Sequence, residues 1–278
     1  MLNLLSGEFY KCKKSKSFKI CLLGTVGMVI FLYLIFLMAD NIQKKEMRNG
    51  TGVVVSTEMN TQENSSQFNI EELSILEVVS EFASSGIGIL FSTGFVCSWV
   101  VNEYKNGAVK NIVGKGYSRT NIFVAKCISS IVSAFIMNFV FFMAMLLTGI
   151  AVLGADEING KFFQDFFGYM GLQLLFCIAF SGIVIAISEI SRNDTVGAVI
   201  SLALIFLSSM ATAGLDLLFR MLHLNIKAST YWILDVLAEC PMGAIDMDFA
   251  GRGISVAVMW IVLSLVLGMI HFQRADIK

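Results

Sequence analysis

Six apolar runs, each about twenty residues long or more, divide this chain. A helix needs about 20 mostly apolar residues to cross a bilayer. Inside lipid, only helices and closed barrels satisfy every backbone polar group. The runs are Ile20–Ala39, Ile75–Val101, Ile122–Leu153, Phe166–Ile187, Thr195–Leu218 and Gly253–Phe272. They predict a single all-α integral membrane domain over 1–278, with six transmembrane helices. Composition agrees: 56% of residues are hydrophobic and the mean hydropathy is +0.75, whereas a soluble domain is about 45–50% apolar. A signal-peptide core is about 7–15 residues, so the longer first run reads as a span that stays in the protein.

Basic residues give the expected orientation. With both termini in the cytoplasm, the arm 1–19, the segment Glu103–Lys126, the turn after the fourth span and the tail hold thirteen of the twenty Lys and Arg. The other seven fall in the connections on the opposite side. Positive charge concentrates on the cytoplasmic side of membrane proteins, so the bias favours both termini inside. The connections 40–74 and 219–252 are then extracellular loops. The first is polar and nearly free of aromatics. The second carries Tyr231, Trp232, Ile233, Leu234, Val236 and Leu237, and an apolar, aromatic stretch does not float in water. It predicts a short helix over Thr230–Cys240, either re-entrant at the outer face or resting there as an interfacial aromatic belt. In the arm, Leu2, Leu5, Phe9 and Cys12 recur at helical spacing opposite Lys11 and Lys14. This predicts an amphipathic elbow helix on the cytoplasmic leaflet, with lysines toward anionic lipid headgroups.

Catalytic patterns are missing. The sequence contains no G-x-x-x-x-G-K-[ST] phosphate loop, no H-E-x-x-H and no G-x-S-x-G. Glu71-Glu72 opens like one membrane-protease motif, but Leu76 stands where that motif needs Arg. His223 and His271 are far apart, and none of the six cysteines makes a C-x-x-C spacing, so no metal site is expected. Five cysteines fall in cytoplasmic or membrane segments, leaving Cys240 with no external partner for a disulfide. The chain is therefore expected to be no enzyme and to bind no nucleic acid.

The segment between the second and third spans reads E-Y-K-N-G-A-V-K-N-I-V-G-K-G-Y-S-R-T-N-I-F-V-A-K from Glu103 to Lys126. Val109, Ile112 and Val113 form a small apolar stripe at helical spacing. Lys105, Lys110 and Asn111 lie off it. Gly114 and Gly116 break the helix, and Ser118 is placed to cap the next one near Thr120. A short helix at such a bend moves with the spans it joins, and its stripe can fill a groove on a partner. The plain reading is an interfacial helix with basic residues facing lipid heads.

This segment resembles the first cytoplasmic loop of type-2 ATP-binding-cassette (ABC) exporter permeases. Glu103, Gly107, Lys110, Ser118, Arg119 and Lys126 match the pattern, while Ala108 stands where Thr is common and Gly116 where Pro is common. The opening N-L-L-S-G-E-F-Y-K-C-K-K-S-K-S-F is similar to Gram-positive members, including bacteriocin and lantibiotic immunity permeases. The resemblance implies a coupling helix over 102–113 that docks on a separate nucleotide-binding subunit, which would carry the ATP and Mg. It implies a second permease chain, with the transport path between the two. Glu103 is then expected to contact the ATPase, together with Tyr104, Gly107, Val109, Lys110, Ile112 and Val113. Arg119 would hold the loop to its own bundle or to the partner.

Polar residues within the spans have two readings. Glu77, Glu81, Thr93, Asn138 and Gln173 could line a path for an amphipathic peptide or a lipophilic, drug-like molecule. Such residues also commonly bond to a neighbouring helix. Other classes of function stay open at this level. A secondary transporter driven by an ion gradient needs charges deep in the spans, and the charges here cluster near their ends. A non-transporting scaffold or sensor would use the outer loops.

Overall fold

Long apolar runs with one proline among 278 residues leave little to stop a helix once it starts. The structure, a computed structural model, describes residues 2–49, 74–105, 112–154, 158–224, 227–241 and 245–274. Among the described residues it is all-helical. The helices are α1 (Leu2–Lys14), α2 (Lys16–Asn49), α3 (Ile75–Ser84), α4 (Ile87–Lys105), α5 (Arg119–Leu153), α6 (Gly160–Ser191), α7 (Asp194–Met221), α8 (Ile233–Ala238) and α9 (Met247–Arg274). Five of them are individually long and apolar enough to cross a membrane, and α3 with α4, which meet at a 43° bend, are long and apolar enough together to count as a sixth if the bent pair crosses as one span.

The bend falls inside the run expected as one span over 75–101. Ser84 and Ser85 donate their hydroxyls back to Glu81 O at 2.9 Å and Phe82 O at 2.7 Å. Glu81 O also keeps its helical partner, Ser85 N, whereas Phe82 O, which Gly86 N passes over for Ala83 O, is satisfied by the Ser85 hydroxyl. Gly86 follows at φ +72°, a conformation glycine adopts without a Cβ penalty. At the far end of α3, Ser74 and Glu77 form a reciprocal capping box.

α6 is the central post. In its most apolar stretch 72% is buried, against 22% for α2 and α7 and 28% for α9. It packs most extensively on α9, where small residues let the backbones approach. A Cβ built on Gly182 would lie 2.7 Å from Ser264 Oγ, and one on Gly268 would lie 3.0 Å from the Phe123 ring and 3.6 Å from Ala186 Cα.

The elbow α1 packs on α5, with Cys12 Sγ 3.0 Å from Ser133 Oγ. Its inward edge differs from the stripe expected at Leu2, Leu5, Phe9 and Cys12. Glu8 and Cys12 are the buried positions, and Phe9 is half-buried. Glu8 tolerates burial because the Lys11 ammonium donates to it at 2.7 Å.

The stretch expected as one helix over Thr230–Cys240 divides at Trp232. A 3-10 turn, Ser229–Tyr231, precedes α8. Ile233, Val236 and Leu237 are fully buried. The Gln173 side-chain amide donates to Leu237 O at 3.0 Å, and Trp260 donates to Tyr231 O at 2.7 Å. This segment is thus fastened to α6 and α9. Burial pushes the Asp235 carboxyl above its ordinary value, with neighbouring Asp216 adding to the rise and the Thr212 hydroxyl opposing it.

Candidate functional site

Three connections meet at one end of the bundle: the stems of the α4–α5 link, the two-residue α6–α7 turn and the last turn of α9. At their centre lies Lys126 on α5, with 1% of its side chain exposed, and Glu189 on α6, with none exposed. The ammonium is 3.4 Å from Glu189 Oε1 and also donates to Val100 O at 3.2 Å. It stands 4.3 Å from the centre of the Tyr104 ring, close enough for a cation–π attraction. The Tyr104 hydroxyl donates to the other oxygen, Glu189 Oε2. Phe272 on α9 packs against Tyr104 and Phe123.

The surrounding turns hold this group in place. Arg192 adopts a left-handed conformation, φ 49°, at the end of α6, and its guanidinium lies 5.6 Å from the Tyr104 ring centre. Its backbone N–H donates to Ser188 O at 3.0 Å, and Asn193 caps α7 through Thr195 N at 3.0 Å. Ser118 caps α5 through Asn121 N at 3.3 Å, where its position before Thr120 places it. Arg119 donates to Gln273 O at 3.0 Å, and Gln273 returns a bond to Thr120 Oγ1 at 3.3 Å. Both stems of the α4–α5 link are therefore tied to α6 and α9 through charge, ring contacts and hydrogen bonds. A displacement of the link relative to α6 disturbs the surroundings of a buried ion pair, in which an unpaired charge is costly, so link and bundle are expected to move together.

The sequence profile of the ABC-2 family transporter proteins matches residues 4–209. The chain belongs to that family. No curated protein matches it. An ABC-2 chain is the membrane component of an ABC transporter, a multi-pass permease that works with an ATPase partner.

In this ABC-2 permease, several residues singled out from the sequence fall at the link. Tyr104 joins the buried cluster directly. Ile112 and Val113 are half-buried against the core, and Arg119 fastens the start of α5 to α9. Gly107, Val109 and Lys110 lie outside the described residues, as does the side chain of Glu103. The residues proposed to line a path are spread out. Glu77 accepts Ser74 N at 3.0 Å in its capping box, and Glu81 is exposed one turn on. Thr93 and Asn138 are buried; the Asn138 amide donates to Ala134 O at 2.9 Å within its own helix. Gln173 is buried with both its Tyr169 and Leu237 bonds made.

Glu189 escapes a sequence reading. It sits near the end of an apolar run, where a lone carboxylate looks solvated. Its signal is the pairing of one acid near the end of the fourth run with one lysine near the start of the third.

Proposed function

We propose that this permease belongs to an exporter that moves an amphipathic peptide or a lipophilic small molecule out of the cytoplasm or the membrane. A separate nucleotide-binding subunit, holding ATP and Mg, drives it by docking on the coupling segment 102–113 on the cytoplasmic side. Two permease chains, identical or not, embedded in membrane lipid, enclose the path. The observation that carries this reading is the buried Lys126–Glu189–Tyr104 cluster. It joins both stems of the link to the central post α6 and to α9, so a push at the link reaches the bundle as a rigid-body motion. Consistent with a separate motor, the sequence has no phosphate loop of its own.

The test is ATP hydrolysis and uptake by inverted membrane vesicles containing the permease and its co-purified ATPase. The expected result is ATP-dependent accumulation of a cationic amphipathic peptide or a lipophilic dye. Glu103→Ala and Gly107→Leu are expected to abolish accumulation while the chain still folds and inserts. Accumulation that survives both substitutions, or that needs an ion gradient and no ATP, would sink the reading.

A further inference from the structure

At the opposite end of the bundle, the last two turns of α7 and the described residues after it line an open cavity of about 800 Å³. Asp216 builds it. One of its oxygens accepts the backbone N–H groups of Ala228 and Ser229, and the other accepts the Ser229 hydroxyl at 2.7 Å. The chain after α7 is thereby folded back along the helix, and the carboxylate is committed to that task.

The end of α7 is a Schellman turn. Leu224 N donates to Phe219 O at 2.9 Å and His223 N to Arg220 O at 3.2 Å. The residue at its left-handed position, φ 55°, is His223, where glycine is the unstrained choice. This costs backbone energy and places an imidazole in the cavity wall. Arg220 and Lys227 line the same cavity, while Ala213, Leu217 and Leu224 line its apolar part. Among the described residues, neither Arg220 nor His223 has a side-chain hydrogen bond or ion pair. Beside the cavity, α7 presents bare apolar surface, with Leu217 57%, Leu218 54% and Met221 76% exposed.

Basic groups at the end of an apolar span, with an apolar wall running back along the helix, match a lipid: a phosphate at the membrane boundary and a chain descending from it. A lone arginine that merely snorkels to the boundary needs no cavity and no left-handed histidine. We propose that this cavity is a binding site for the headgroup of an anionic phospholipid, held by Arg220, His223 and Lys227, with an acyl chain against Ala213 and Leu217.

The test is native mass spectrometry of the full-length chain, released from detergent after titration with phosphatidylglycerol or phosphatidylcholine. One phosphatidylglycerol is expected to stay bound to the wild type, with phosphatidylcholine lost. R220Q/K227Q is expected to weaken retention by roughly tenfold or more, since each basic residue near an anionic lipid surface contributes on the order of a fivefold gain. H223G keeps the turn in its preferred residue and removes only the imidazole. It is expected to weaken retention while leaving thermal stability equal or higher. Equal retention by wild type and R220Q/K227Q overturns the proposal. So does displacement of the lipid by millimolar glycerol phosphate, which would mark a site for soluble anions. A change in the number of chains per complex on R220Q/K227Q would also overturn it, by showing that a second copy covers the cavity.

Discussion

A lysine ammonium with 1% of its side chain exposed has given up nearly all its water. Glu189, the Val100 carbonyl and the Tyr104 ring stand in for that hydration and make its position tolerable. The asymmetry between breaking such a pair and removing it follows. Glu189→Gln leaves a buried cation without its counter-charge, which costs about 3–5 kcal/mol where burial is complete. Replacing both, as K126M/E189L, removes the desolvation cost together with the attraction and is expected to be far less damaging than the two single losses added together. Thermal unfolding of the detergent-solubilised permease measures this directly. If the double variant is as unstable as the sum of Lys126→Met and Glu189→Leu, the two side chains do not act as a pair.

Among the elements, packing between α6 and α9 depends on glycines that admit a neighbour rather than on glycines that bend. Gly268 and Gly251 both lie on α9, so they separate the two roles. A Cβ at Gly268 would meet the Phe123 ring at 3.0 Å and the backbone of α6 at Ala186, while one at Gly251 meets nothing within 4 Å. Gly268→Val is expected to destabilise the bundle by about 1–3 kcal/mol through overpacking, and Gly251→Ala to be neutral or slightly stabilising because alanine favours helix. Thermal shift of the two variants checks this, and equal effects would mean that the α6–α9 approach does not limit stability. Element scale is also where the sequence is most and least legible. Hydropathy finds the five single-helix spans and the bent α3–α4 pair, because crossing a bilayer needs a length of apolar chain that little else imitates. It misses the break at Ser84–Ser85–Gly86, because serine and glycine are tolerated within an apolar span and the turn is made by Gly86 in a left-handed conformation, which apolarity does not report. It turns the elbow's inner face away from Glu8 for the opposite reason: an apolarity count places an acid outside, and a neighbouring lysine brings it in. At the candidate site, Tyr104 and Arg119 are reachable through the loop pattern. Glu189 is not, since its role depends on which helix ends meet in space.

For the whole molecule, α6 has the most buried apolar stretch of the five single-helix spans among the described residues, and it is gripped at one end and near its middle. α6 holds Glu189 at the end where the α4–α5 link is tied. Near its middle, Gln173 grips α8. A permease driven by a partner ATPase must carry a displacement across the membrane, and a rigid helix gripped at one end and at mid-length does so without needing a flexible path. The Tyr104 hydroxyl is the most selective place to interrupt it. Tyr104→Phe removes the bond to Glu189 yet keeps the ring against Lys126 and Phe272. Loss of one hydrogen bond to a charged group costs about 1.5–3 kcal/mol, which leaves a foldable chain. In the complex with its ATPase, this substitution is expected to lower substrate-stimulated ATP hydrolysis severalfold, while the ATPase still co-purifies. Phenylalanine keeps every apolar contact of tyrosine, so a loss of stimulation would report the bond to Glu189 rather than the shape of the link. Full stimulation in Tyr104→Phe, with the expected fall in thermal stability, would show that the cluster serves the fold and that the signal from the ATPase enters the bundle elsewhere.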